Sequence, residues 1–499
     1  MAVEFKLDLN GKARPYPHYW ETCVGSCHAA TVLREDVRQQ VRAAHRDCGF
    51  KYLRFHGLFD DDMSVVIYDP MTRQTYYSFF NIDSIFDFLL DAGMKPFVEL
   101  GFMPEAFASG DQTIFHYKGN VTPPKDYSQW ADLITAFTEH LLDRYGEEEV
   151  SQWFFEVWNE PNLRCFFKGT QEEYFKLYET TARAIKAVCP GLRVGGPATS
   201  ANAWIPEFRA FCEENNVSLD LITTHHYPSD DPLSSAGMNG PGFIGQGYEE
   251  LAAMAAQMTE EQINELMAQM FHKENKNPRD VLYQMTKKAK EEAGPYPLYY
   301  TEWNGSREYD TSYQAAFIAY TLSCNEGLVE GYSFWTVSDI FEEMGLKPGV
   351  FKNEFGIQTM DGIPKPSYQL YTALHGAGEY RLEVCGEHRT AGAMALTDGK
   401  EVTLFVFNHD LERRDIKPEQ ITVSFEGAAV SIQMAVIDED HTNPLKAWNE
   451  MGSPVYLKKD QVAQLKEAAA LVYEEIPADG SVAFTAQPES VTILKIRLA

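Results

Sequence analysis

A chain of 499 residues with 44% hydrophobic and 13% aromatic content has ample apolar material for a core and exceeds one ordinary domain, so a large domain with an accessory domain is expected. Its formal net charge of −30 argues against a nucleic-acid or anionic-membrane partner, because phosphate binding rests on clustered Lys and Arg. Residues 1–8 lack a basic segment followed by a long apolar core, and no run of about 18 apolar residues appears, so neither a secretory signal nor a membrane span is expected.

In chain order, strand-like runs fall at 19–23, 52–56, 96–101, 153–158, 192–195, 219–224, 298–301 and 331–335. Stretches with helical spacing separate them, among them 36–48, 82–92, 130–144, 172–188, 206–215 and 312–325. Strands alternating with helices imply a parallel sheet, and eight repeats over some 340 residues fit a (β/α)8 TIM barrel, which places its chemistry at the C-terminal ends of its strands. The connection between the sixth and seventh strands is too long for a simple loop. Its residues 228–296 read as a helical insertion, with a Gly- and Pro-rich turn at 238–247 and helices at 251–271 and 278–293. A lid, an oligomer contact and a decorative insertion all remain open for it.

Beyond about Gly376 short alternating runs take over, at 390–395, 402–408, 421–425, 431–437 and 490–498, separated by turns such as Asp398-Gly399 and Asp479-Gly480. They imply a C-terminal antiparallel β-sandwich, with which residues 5–9 are placed to pair. The expected division is a barrel over 15–360 and a sandwich over 1–14 and 361–499. The eight cysteines, at 23, 27, 48, 165, 189, 212, 324 and 385, are too sparse for a disulfide scaffold and read as reduced core thiols of a cytoplasmic enzyme. No Cys and His cluster with zinc spacing accompanies Cys23 and Cys27, so no metal or other cofactor is expected.

Two glutamates end apolar strand-like runs beside Trp and Asn, in Trp158-Asn159-Glu160-Pro161 and Thr301-Glu302-Trp303-Asn304. Paired carboxylates at two strand ends suggest hydrolysis of a glycosidic bond, which needs one acid to protonate the leaving oxygen and one carboxylate at the anomeric carbon. Surface or cap carboxylates would be the plain alternative. Glu99 and Glu156 lie inside barrel strands, where an inward carboxylate needs a partner such as Arg54. Trp335 closes the eighth strand and suits a flat platform for a pyranose, although a buried Trp is the commonplace alternative.

Together with Cys23-Val24-Gly25-Ser26, Tyr52-Leu53-Arg54-Phe55-His56-Gly57, Pro96 to Pro104, Phe155 to Leu163, His225-His226-Tyr227-Pro228 and Phe334 to Glu343, these motifs resemble glycoside hydrolase family 39, most of all its β-xylosidases. The resemblance runs in order from about residue 15 to residue 375, and the tail is compatible with that family's sandwich. It implies a retaining double displacement with Glu160 as acid/base and Glu302 as nucleophile. It further implies that Asn159 bonds the sugar 2-hydroxyl, that His56, His225 and Tyr227 line the pocket, and that Glu342 and Glu343 accept sugar hydroxyls. From the residues alone, Asn159 reads equally as a helix cap, the histidines as satisfied core groups and the two acids as solvated. His226 points the other way along the strand.

In the family's α-L-iduronidases a Lys stands where Tyr227 stands here, so the resemblance favours a neutral pentose over a uronate. The implied activity is exo-acting release of xylose from short xylo-oligosaccharides. The same mechanism on an arabinoside, glucoside or α-L-iduronide, or a non-catalytic carbohydrate-binding protein, stays open. The expected partner is a small oligosaccharide, and a homo-oligomer is compatible with the insertion and the accessory domain.

Overall fold

The computed structural model describes residues 2–230, 258–259, 262, 275–412 and 414–498. Eight strands follow the chain around a closed barrel: Cys23–His28, Tyr52–His56, Lys95–Leu100, Phe154–Val157, Arg193–Thr199, Leu221–His226, Leu298–Trp303 and Gly331–Phe334. All neighbouring pairs are parallel. Their side chains are almost uniformly buried, as expected of parallel strands with a filled interior on one face and helices on the other. Those helices are Glu35–Cys48, Phe80–Asp91, Tyr127–Tyr145, Gln171–Val188, Ile205–Glu214, Val281–Ala293, Ser312–Cys324 and Pro366–His375. Local chemistry marks their ends: Thr170 and Glu173 close a capping box before the fourth, and Gly49, at φ 77°, ends the first in the left-handed region.

The barrel interior changes character with height. At the N-terminal end Cys23, Phe97, Phe154 and Leu221 pack with Tyr52 and Tyr299 into an apolar plug. Two residues further along four of these strands, on the same face, come Arg54, Glu99, Glu156 and Thr301, all buried. Above them the strands open at the C-terminal mouth.

Seven of the eight predicted strands correspond to barrel strands, with ends shifted by a few residues. The run at 19–23 does not: Tyr19–Glu21 is a 3-10 turn, and the first strand is Cys23–His28. Its β-prone aromatics serve the core instead, with Trp20 stacked on His18 and the Tyr19 hydroxyl donating to the Leu322 carbonyl at 2.7 Å. Of the predicted insertion, the turn at 238–247 lies outside the described residues, as does most of 251–271; Val281–Ala293 is the sixth barrel helix.

The accessory domain is a pair of sheets, one of four strands and one of seven. Val3–Asp8 joins the four-stranded sheet, but it runs parallel to Glu419–Glu426, so the sandwich is not purely antiparallel. Phe5, Leu7, Val402, Leu404, Val406, Val423, Leu494 and Ile496 fill the space between the sheets. Two helices that the strand-only reading of this region did not contain, Pro444–Glu450 and Lys459–Ala468, pack Trp448 and Leu465 against Val350, Phe351 and Ile363.

Two elements cross the expected division. Arg14–Pro15 pairs with the sandwich strand Tyr380–Leu382, and Pro366–His375 packs as the eighth barrel helix beside Glu35–Cys48 and Ser312–Cys324. The helical period of 366–375 is masked in sequence by Pro364 and Pro366, and Pro366 sits harmlessly in the first turn. Ser312–Cys324 is buried nearly all round because the seven-stranded sheet covers its outer side, with Tyr320 on Phe407 and Tyr313 near His409.

All eight cysteines are free, but only Cys23, Cys27, Cys48, Cys189 and Cys212 are buried; Cys165 and Cys324 are half-buried and Cys385 is exposed. Among the described residues no helix is long and apolar enough to cross a membrane.

Candidate active site

Glu160 and Glu302 reach the barrel mouth by different local devices. Glu160 follows the fourth strand on a turn in which Trp158 and Glu160 both hold positive φ, 72° and 44°, a conformation that L side chains adopt only when their surroundings impose it. Here the Glu160 amide donates to the Ala198 carbonyl at 2.8 Å, the Trp158 indole to the Phe166 carbonyl at 2.8 Å, and the Asn162 amide spans to Ser200. Glu302 lies within the seventh strand opposite His225, where the ladder shifts register on both sides. The irregularity lets the consecutive residues Thr301 and Glu302 both address the interior, against the strict alternation of a regular strand.

One carboxylate oxygen of Glu160, one of Glu302 and a ring nitrogen of His225 lie within 4.8 Å of one another. That spacing suits a direct displacement on a sugar carbon and is too short to admit a water between the carboxylates and the ring, as an inverting pair at about 6.5–9.5 Å would.

Arg54 anchors the site from below. Its Nε donates to Glu156 at 2.7 Å, Nη1 to Glu302 at 2.9 Å and Nη2 to the Asn159 side-chain oxygen at 2.9 Å, while Glu99 lies 2.8 Å from Nη2. Burial works against the guanidinium charge, and Glu156, Glu99 and Glu302 outweigh it. The partner expected for Glu99 and Glu156 is therefore Arg54. Since a guanidinium only donates, the Asn159 atom facing it is the oxygen, which leaves the amide NH2 for a ligand.

Among the described residues the charge of Arg54 does not offset the burial of every acid around it. Burial pushes Glu160 up to about 7 despite Arg54, with Glu99 adding to the rise. It pushes Glu99 itself up to about 8, and Glu343 well above the usual carboxylate range, the latter reinforced by Glu302 and Glu160. Glu302 accepts from Arg54 on one oxygen and from the Tyr227 hydroxyl at 3.0 Å on the other. His225 contacts Glu160 through Nδ1 at 3.0 Å and Thr301 through Nε2 at 3.1 Å, and burial depresses its pKa. His56 is pushed down to about 3 by burial; its Nδ1 is tied to Glu99 at 2.7 Å, and its Nε2 lies 3.5 Å from Glu302 and 4.0 Å from Glu343.

Trp335 packs at 4.7 Å from His56 and over Gly25, where any Cβ would collide with the indole at 2.3 Å. The structure separates the two neighbouring acids of the last loop. Glu343 turns toward His56, Glu302 and Glu160, whereas Glu342 sits 3.6 Å from Arg34 and 3.8 Å from His28. His226 points away, stacked on Tyr300 and bonded to the Tyr332 hydroxyl.

Sequence reasoning missed one wall. A small hairpin of Thr113–Ile114 and Gly119–Asn120 presents Phe115 toward His56 and stacks Tyr117 on His28 at 3.9 Å, and its His116 amide donates to the Glu343 carbonyl at 2.7 Å. The aromatic triplet Phe115-His116-Tyr117 after the third strand was the available signal. Thr301 was missed too, its role being visible only once Glu156 and His225 are placed around it.

Comparison with known proteins gives a consistent result. The model of "Glycosyl hydrolases family 39" matches residues 3–483. A β-xylosidase of Caldicellulosiruptor saccharolyticus is 45% identical over 469 residues, covering 92% of this chain and 90% of that protein. A β-xylosidase of Geobacillus stearothermophilus is 36% identical over 484 residues, covering 93% and 89%. Among solved structures, a family 39 β-xylosidase from Caulobacter crescentus superposes with a TM-score of 0.80 at 31% identity, covering 99% of this chain and 100% of that one.

Proposed function

The chain belongs to glycosyl hydrolase family 39, and from that premise we propose that it is a retaining exo-β-xylosidase that releases xylose from the non-reducing end of short xylo-oligosaccharides. The observation that carries this reading is the pair Glu160 and Glu302, within 4.8 Å of each other but in opposite surroundings. Burial raises the pKa of Glu160 to about 7, as suits an acid that must arrive protonated. Glu302 accepts from Arg54 and Tyr227, as a carboxylate that must attack.

In the first step a Glu302 oxygen forms a bond to the anomeric carbon as the glycosidic bond breaks, and Glu160 gives its proton to the departing oxygen. In the second, Glu160, now ionised, takes a proton from water as that water displaces Glu302 and frees the sugar. Asn159 offers its amide NH2 beside the acid/base, the right end for a sugar hydroxyl oxygen. His56 and Glu343 stand on the opposite flank with Trp335 as an apolar wall.

A neutral sugar is favoured by charge. Among the described residues Arg54 is the cation nearest the two carboxylates, and Glu156, Glu302 and Glu99 already engage it. A substrate carboxylate would enter facing Glu160, Glu302 and Glu343, with Arg54 already engaged by three acids. Exo-action is supported by the contact between the Phe115 hairpin and the Glu343 loop, which walls the His56 side, and by the names of the similar proteins.

The test is nitrophenol release from 4-nitrophenyl β-D-xyloside, α-L-arabinopyranoside, α-L-arabinofuranoside, β-D-glucoside and α-L-iduronide, together with digestion of xylotriose reduced at its reducing end. A dominant xyloside rate, lost in Glu302→Ala, and release of free xylose from the reduced trimer are expected. A faster rate on another glycoside would overturn the sugar, and cleavage only inside longer chains would overturn exo-action.

A further inference from the structure

Beneath the acid/base runs a chain of hydrogen bonds whose direction can be read from its far end. The Glu156 carboxylate is held on one oxygen by Arg54 Nε at 2.7 Å, and its other oxygen accepts from the Thr301 hydroxyl at 2.7 Å. A hydroxyl has one proton, and that contact uses it. Thr301 Oγ1 therefore meets His225 Nε2, 3.1 Å away, with a lone pair, and the bond exists only if Nε2 carries the hydrogen. Burial disfavours the charged ring, and in the neutral ring Nδ1 then presents a lone pair to Glu160 Oε1 at 3.0 Å. A bond across that last gap needs the proton on Glu160.

We propose that Thr301 is a positioning residue of the reaction: by accepting from His225 Nε2 it fixes the imidazole tautomer whose Nδ1 holds Glu160 in its protonated, acid-competent form. The inference rests on Glu160 being the acid/base. A competing donor to Nε2 is present, Arg54 Nη2 at 3.4 Å, which is longer than the Thr301 contact and longer than Nη2's own contacts to Asn159 and Glu99. Without the Thr301 oxygen the balance tips to that donor, Nε2 becomes the acceptor, and Nδ1–H turns to the Glu160 carboxylate, stabilising the ionised form. The other titratable groups around Glu160 are Arg54, Glu99, Cys165, Tyr227, Asp230, Glu302 and Glu343. Around His225 they are Arg54, Glu99, Glu156, Glu302, His56 and His226. Of these only Glu156 is hydrogen-bonded to Thr301, and it keeps its Arg54 contact when the hydroxyl is removed.

The experiment is the pH profile of kcat/KM for wild type, Thr301→Val and Thr301→Ser on xylobiose, whose departure needs the acid, and on 2,4-dinitrophenyl β-D-xyloside, whose departure does not. Thr301→Ala replaces the Val variant if melting shows that Val is not accommodated. The basic limb for xylobiose is expected to move down by about one pH unit or more in the variant lacking the hydroxyl, roughly a tenfold loss above the limb. It should stay in place in Thr301→Ser, and dinitrophenyl xyloside should change little. A limb that stays put in Thr301→Val or Thr301→Ala, or equal losses on both substrates at every pH, would overturn the proposal. Glu160→Ala, measured beside them, separates the two readings: if it loses equally on both substrates the acid/base assignment itself falls, and if it spares dinitrophenyl xyloside while the Thr301 limb is unmoved, only the relay falls.

Discussion

The upper barrel interior and the sandwich interior are both built largely from strands whose alternate side chains face inward, yet they bury opposite materials. In the sandwich strand Glu401–Asn408 the inward residues are Val402, Leu404 and Val406. In the barrel strand Tyr52–His56 they are Tyr52, Arg54 and His56, with Arg54 shielded from solvent entirely. An apolar interior stabilises wherever it closes, at about 25 cal/mol for each Å² removed from water. A charged interior holds only if every member has its partner, because removing an ion from water costs several kcal/mol. The sandwich is therefore tolerant and supports stability, whereas the barrel mouth is an interdependent set in which one guanidinium serves Glu99, Glu156, Glu302 and Asn159.

Substitutions in the two interiors should accordingly fail in different ways. The largest effect is expected for Glu302→Ala, which removes the proposed nucleophile: xyloside hydrolysis should fall by at least about a thousandfold while the melting temperature holds or rises. Glu160→Ala should cost about 10²–10⁴-fold on substrates with poor leaving groups and far less on activated aryl xylosides, with azide restoring rate by attacking the xylosyl-enzyme; equal losses on both would remove Glu160 from its role.

Arg54→Met should destabilise by about 3–5 kcal/mol, because Glu99, Glu156 and Glu302 lose their common counter-charge, and should abolish activity as well. Leu404→Ala should cost about 2–5 kcal/mol in a denaturant titration while kcat/KM at low temperature stays at the wild-type value. A Leu404→Ala enzyme that is stable but slow would break the contrast between the two regions.

A subtler difference lies in pH. The folded pKa of Glu160 is raised to about 7, so the folded state binds a proton that the unfolded chain, with a carboxylate near 4.3, has already lost. Its contribution to stability is thus full below about pH 4 and disappears as pH rises toward 7 and beyond. Glu160→Gln, neutral throughout, should gain stability relative to wild type at pH 8 and show little difference at pH 4, read from paired thermal melts. The smallest effect is expected from EDTA, which should leave the rate unchanged; a loss reversed by a divalent cation would mean that the donor atoms of Glu160, His225 and Glu302 hold a metal.

Much was legible in the chain because it is written in local period and end signals. Eight β-prone runs separated by helical stretches require a covered parallel sheet, and Glu160 and Glu302 stand at the ends of two such runs. The i, i+2 rule already sent His226 away from His225. Less was legible where tertiary contacts override local preference. Tyr19 and Trp20 look like strand and are core-packing turn. The helix Pro366–His375 lies under a proline-rich start, and Val3–Asp8 finds a parallel partner more than four hundred residues away. Glu342 and Glu343 are neighbours that look alike in sequence, and only the loop conformation sends one to Arg34 and the other to His56.

By itself, then, the sequence determined the repeat, the strand ends and the residue types of the chemistry, since periodicity and side-chain identity are properties of the chain. The tertiary structure alone decided the proton states and the direction of the hydrogen bonds. A ladder shift brings Thr301 and Glu302 to the same side, and burial raises Glu160 despite the nearby Arg54 guanidinium. Both are consequences of which groups share a space that water has left.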